Sequence, residues 1–180
     1  MNYRNQLIPH RKMQLLREEN QTQIINVEDN NSDYLTSESE QQTAPLLSVQ
    51  QRLQLIGSIT HLMMSSKLHS QYQISDITER FIPSLIHDQF RYYEINGNPI
   101  GFVNWAWLSD EAEAKYSTEY ELQLPEWSDG DNLWFLEFIA PFGHANLIIK
   151  DLRNSIFSKG MQAKSLRIKN DGIRVSRWKF

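Results

Sequence analysis

Trp134-Phe135-Leu136-Glu137-Phe138-Ile139-Ala140-Pro141-Phe142-Gly143 reads as an apolar β-strand with one acid in its middle, running directly into a Pro-x-Gly turn. A carboxylate in such a strand is costly to bury unless it meets a base or a hydrogen-bond donor. Strict alternation puts Phe135, Glu137 and Ile139 on one face. Upstream, Ser65-Ser66-Lys67-Leu68-His69 sets a histidine at a chain reversal after a helical stretch, where functional groups are often presented. An imidazole there can accept a proton, and Glu137 opposite it would fix its tautomer and stabilise the imidazolium. The bland alternatives are a surface histidine and an acid on the wet face of a sheet, and the residues alone leave both open.

Outward from this strand, the pattern predicts an α+β domain with one mainly antiparallel sheet flanked by helices. Leu46, Val49, Leu53, Ile56, Ile59 and Met63 recur at helical spacing and predict a helix over 46–64, with Met63-Met64 as core filler. Asp76-Ile77-Thr78-Glu79 has capping-box form and opens a second short helix that stops near Pro83. Residues 89–95 alternate as a strand, Asn96-Gly97-Asn98-Pro99 is a turn, and 100–107 return as the partner strand. Ser109 caps a helix through about Tyr120. Beyond the quoted strand, 144–158 read as a helix carrying Leu147, Ile148, Leu152 and Ile156 on one face. The last stretch, 164–179, reads as a hairpin turning at Asp171-Gly172.

Two domain-level expectations follow. Residues 1–44 form a polar arm, rich in Gln, Asn, Ser and Thr, that cannot bury enough apolar surface to offset its ordering entropy. Residues 45–180 form the folded domain. The chain of 180 residues has no cysteine, which removes disulfides, thiolate metal sites and a cysteine nucleophile together. It shows neither an apolar signal segment nor a membrane-spanning run, so a cytoplasmic protein is the expectation. The net charge of −4 is unevenly spread. From Lys150 onward nine Lys/Arg face Asp151 and Asp171, whereas nine acids between Gly101 and Ala140 face Lys115 alone. The basic third suits an acidic partner.

Pro141-Phe142-Gly143 before a helix frees backbone N–H groups able to hold a developing oxyanion. Trp105, Trp107, Trp127 and Trp134 either line an apolar channel or are simply core. His144, just after Gly143, is a second candidate base.

Taken in order, Ser65–His69, Pro99–Ala106, Leu108-Ser109, Trp127–Asp131 and Trp134–Gly143 resemble the RTX toxin-activating lysine acyltransferases, the hemolysin-activating family. The resemblance implies a GNAT-like α+β acyltransferase domain over 45–180. Its implied activity is transfer of a fatty acyl group from acyl carrier protein to internal lysines of an RTX protoxin. It implies no bound cofactor, no metal, no nucleic acid partner and a homodimer. His69 matches the family's catalytic histidine, Ser66 the serine three residues before it, and Glu137 stands where the family usually has an aspartate. Phe142, Gly143 and Trp105 would contact the acyl donor. Two other functions remain: a toxin-binding chaperone that kept the fold without the chemistry, and an acyl-CoA-dependent GNAT enzyme. The latter lacks its usual Gln/Arg-x-x-Gly-x-Gly/Ala loop here.

Overall fold

The structure, a computed structural model, describes residues 47–169 and 172–180. The expected arm and the Asp171 position of the last turn lie outside these residues. Helix α1 spans Val49–Met64 and opens on a reciprocal box: Gln51 N–H donates to Ser48 Oγ at 3.2 Å, and Ser48 N–H donates to Gln51 Oε1 at 2.9 Å. Its buried face is Leu55, Ile59, Leu62 and Met63. Val49 and Leu53, which head the expected stripe, stay exposed. Ile56 and, just ahead of the helix, Leu47 pack beside that face on the same core.

Helix α2 spans Ile74–Arg80, capped at Gln73, three residues ahead of the expected cap. Asp76 closes the box as the third helical residue rather than opening it, with Oδ2 accepting from Gln73 N–H at 2.6 Å. Pro83 does not stop a helix but sits in the first turn of α3, Ile82–Ile86, where its missing N–H is harmless.

Strand β1 (Phe90–Ile95) turns through Asn96 and Gly97, both at positive φ, into β2 (Asn98–Leu108). Ser109 caps α4, Asp110–Glu119, as its sequence predicts, by accepting from Ala112 N–H at 3.1 Å. A short 3-10 turn, Leu124–Trp127, precedes β3, Asn132–Ile139. The expected last helix is α5, Ala145–Asp151, followed by a π-helical turn over Leu152–Ile156. Strands β4 (Gln162–Lys169) and β5 (Gly172–Lys179) close the chain.

The five strands lie in the order β1-β2-β3-β4-β5, antiparallel except for β3 and β4, which run parallel through the α5 crossover. Period-two alternation along β2 sorts the core. Phe102, Ala106 and Leu108 face α1 to α4, while Val103 and Trp105 face α5 and Phe157. A Cβ at Gly101 would run into the Ile148 side chain of α5, which would have to shift to admit it. The Trp127–Asp131 stretch is a clasp: Ser109 N–H and Oγ–H donate to the Asp129 carboxylate at 2.8 and 2.9 Å, and Gly130 presses on the Leu108 backbone.

Candidate active site

The register between β2 and β3 decides where Glu137 points. Val103 pairs with Phe138 and Trp105 with Phe135, so Asn104 alone opposes both Leu136 and Glu137. This β-bulge breaks the strict alternation predicted for the strand. Phe135 packs with the α5 side of the sheet, whereas Glu137 and Ile139 turn to the α1–α3 side. The bulge leaves the Glu137 N–H without its ladder partner, and Asn104 Oδ1 accepts it at 2.8 Å. The Asn104 amide then donates to Arg80 O at 2.8 Å and Ser84 Oγ at 3.2 Å, tying strand to helix.

Into this frame the turn after α1 delivers His69, 5% exposed. Its Nε2 lies 3.1 Å from Glu137 Oε2, and its Nδ1 lies 2.7 Å from Ser66 Oγ. A carboxylate only accepts, so Nε2–H donates to Glu137, and the bare Nδ1 accepts from the Ser66 hydroxyl. Ser66, His69 and Glu137 thus form one hydrogen-bonded chain in which only the serine reaches toward solvent.

Glu137 has two further partners. Tyr72 O–H donates to both carboxylate oxygens at 3.3 Å, and Arg80 Nη1–H donates to Oε1 at 3.2 Å. Arg80 Nε in turn donates to Asp76 Oδ1 at 3.2 Å, and its guanidinium lies 5.4 Å from the Tyr72 ring centre. Burial works against the charged form of Arg80, but Glu137 and the neighbouring tyrosine hydroxyls overcome it and hold the guanidinium above its ordinary value. Burial, then Glu137, pushes the Tyr72 hydroxyl well above the tyrosine range, so it remains a donor at neutral pH. Tyr72, Arg80 and Asn104 are absent from the sequence-based site. The one signal for them was polarity out of place: Asn104 between Val103 and Trp105 in an apolar strand.

The remaining expected residues lie apart from this network. Trp105 is packed edge-on to Phe157 at 5.2 Å, on the opposite side of the sheet from Glu137. Trp134 is fully buried against Tyr116, and Trp127 is buried in the same cluster. Phe142 and Gly143 form an exposed turn, Gly143 at φ +85°, and no hydrogen bond joins them to His69 among the described residues. His144 stands at the start of α5 with Nδ1 buried and, among the described residues, without a hydrogen-bond partner, Glu137 included. Among the described residues no group of three or more His, Asp or Glu is placed to hold a metal ion, and no helix is long and apolar enough to cross a membrane.

Beside Glu137 lies a cavity of about 610 Å³ between α2, the end of α4 and the 3-10 turn. Its lining includes Glu137, Arg80 and Asp76 but neither His69 nor Ser66. The β4–β5 hairpin pairs with β3 at Trp134–Lys164 and Phe135–Ser165, packs Trp178 against Phe135 and Phe138, and leaves Arg167, Arg174, Arg177 and Lys179 exposed.

The chain is 33% identical over 141 residues to the lysine-acyltransferase RtxC of Vibrio cholerae, covering 73% of this chain and 92% of that protein. It is 36% identical over 107 residues to the protein-lysine myristoyltransferase RtxC of Kingella kingae, covering 59% and 64%. An uncharacterised protein of Synechocystis is 38% identical over 128 residues, covering 69% and 86%. Residues 48–179, which hold every helix and strand described above, match the family HlyC, and the chain belongs to this RTX toxin acyltransferase family.

Proposed function

We propose that this protein is a protein-lysine fatty acyltransferase that activates an RTX protoxin by moving an acyl group from acyl carrier protein to internal lysines. The observation that carries the reading is the buried chain Ser66–His69–Glu137, with a base, an orienting acid and a hydroxyl in bonding order. The relatives are named for the same chemistry on lysine.

In this reading the acceptor amine attacks the thioester carbonyl; a C–N bond forms, the C–S bond breaks and the carrier thiol leaves. The amine proton passes through the Ser66 hydroxyl to His69 Nδ1 and returns to the departing sulfur. Glu137, fixed by Tyr72 and Arg80, stabilises the imidazolium that forms. The Phe142-Gly143 turn, which follows the acid-bearing strand directly, offers backbone N–H groups to polarise the carbonyl. Acyl carrier protein, an acidic protein, docks on the basic β4–β5 hairpin, and the enzyme works in the cytoplasm as a homodimer. We read the domain as GNAT-like, supported by its mixed sheet with one helix-crossed parallel pair.

The test is intact-mass analysis of a candidate protoxin incubated with this protein and acylated carrier protein. One acyl mass per modified lysine is expected, falling by ~10²–10⁴-fold in rate for His69→Ala. Unchanged transfer by His69→Ala would remove the histidine from the mechanism. A toxin-binding chaperone is the second reading, favoured by glutamate standing where the family usually has aspartate. Glu137→Asp separates the two. Shortening the side chain by ~1.5 Å pulls the carboxylate from His69 and lowers activity in a working enzyme, whereas a decayed one would gain.

A further inference from the structure

We propose that the outer edge of β5 is the docking site of a segment of this same chain, residues 25–29 of the N-terminal arm, which adds to the sheet as a strand parallel to β5. That segment lies outside the described residues. β5 ends the strand order, so among the described residues no strand pairs with its outer edge. Phe180 N–H donates to Met161 O at 3.0 Å, and the register with β4 runs without a shift from Gln162–Lys179 to Lys169–Gly172. Alternation then gives the even-numbered residues of β5 to β4 and turns the N–H and C=O groups of Ile173, Val175, Arg177 and Lys179 outward. The side chains of these four share one face and are exposed, Ile173 at 41% and Val175 at 43%. An open edge carrying β-branched residues is a template for an added strand.

Charge and pattern together select the occupant. Residues 162–180 carry six Lys or Arg against Asp171 alone, whereas residues 18–43 carry seven acids and no Lys or Arg. Within that acidic stretch Ile25, Val27 and Asp29 alternate as Ile173, Val175 and Arg177 do. Parallel pairing in this register sets Ile25 beside Ile173, Val27 beside Val175 and Asp29 beside Arg177. Antiparallel pairing about Val27 and Val175 would set Asp29 against Ile173 and lose the ion pair. Residues 30–46 extend to ~56 Å at ~3.3 Å each, well beyond the ~19 Å of four strand spacings between β2 and the added strand. The segment can therefore lie on this edge and still return to α1. A second copy of β5 is the poorer fit, because Gly172–Lys179 holds three bases and no acid, and two-fold pairing would bring like charges together. The family match begins at residue 48, so the covering strand lies outside it. The placement does not depend on the acyltransferase reading. It bears on that reading, because the arm and an acidic carrier compete for one hairpin.

The experiment uses the full chain, which has no cysteine of its own. It compares the pair Val27→Cys/Val175→Cys with Val27→Cys/Leu53→Cys, whose second position is exposed on α1. Mild oxidation is followed by non-reducing electrophoresis and peptide mass mapping. Adjacent strands bring Cα atoms within disulfide reach, so the first pair is expected to close within one chain about tenfold faster than the second. Adding Asp29→Lys should remove that advantage. Equal rates for the two pairs would overturn the proposal, as would a disulfide linking two chains, which would seat a second copy on the edge. Surface plasmon resonance against acyl carrier protein then reads the competition: Glu28→Gln/Asp29→Asn should speed association by about threefold. A fast disulfide within one chain, with carrier binding unchanged by those two substitutions, would keep the covering strand and move carrier docking to another face.

Discussion

The surroundings of Glu137 and the β4–β5 hairpin are both rich in charge, yet they use it oppositely. Around Glu137 the carboxylate, the imidazole and the Asn104 amide are all buried, and each is bonded to a partner on another element. On the hairpin, Arg167, Arg177 and Lys179 are exposed, and among the described residues Arg167 lies with its guanidinium 5.6 Å from the Trp178 ring. Buried polar groups cost several kcal/mol when a partner is lost, because water cannot replace it. Exposed ones change encounter rates and salt dependence and leave stability almost untouched.

The contrast is broken most directly by Glu137→Leu. Removing the carboxylate leaves His69, Tyr72 and Arg80 without their common acceptor, and we expect a loss of ~3–5 kcal/mol in urea unfolding. A loss under ~1 kcal/mol would mean that water already reaches the site. Asn104→Leu comes next. It strands the Glu137 N–H and frees the Arg80 carbonyl, for an expected ~2–3 kcal/mol together with slower acyl transfer, because the bulge no longer holds the carboxylate.

On the other side of the contrast, Arg177→Glu/Lys179→Glu should move stability by no more than ~0.5 kcal/mol. The same pair should slow association with acyl carrier protein by ~10-fold or more at low salt. Surface plasmon resonance across a salt series reads this; binding indifferent to both charge reversal and salt would move the docking face elsewhere. The smallest effect belongs to Tyr116. Burial, then Glu137, holds its hydroxyl above the ordinary 10.0, so the folded protein keeps the proton that the unfolded chain gives up. That contribution is complete below pH 10 and declines as pH rises toward the folded value. Tyr116→Phe should leave stability at pH 7 nearly unchanged and flatten its alkaline decline, as followed by thermal unfolding at pH 7 and pH 11.

Much of this was legible before any coordinates. Element type is a local matter, so Ser109 marks its helix, Asn96-Gly97 its hairpin, and the apolar runs their strands. Boundaries slipped where two local signals competed. Asp76 has the chemistry of a cap but serves as the return arm of one that begins at Gln73, and Pro83 starts a helix as readily as it ends one. The pairing of His69 with Glu137 was readable only through the resemblance, because a separation of 68 positions carries no periodic signal.

The sequence by itself determined the kinds of element, the histidine and the acid worth asking about, and the split between an acidic middle and a basic end. Those are properties of neighbouring residues and of composition. Only the tertiary structure decided which face Glu137 occupies, since one extra residue in β3 opposite Asn104 reverses the alternation that the strand alone implies. It also decided that Tyr72, Arg80 and Asn104 complete the site and that Trp105 belongs to the core on the far side. Each depends on elements distant in sequence meeting across a sheet, where burial removes water and makes the partner of every polar group a matter of geometry.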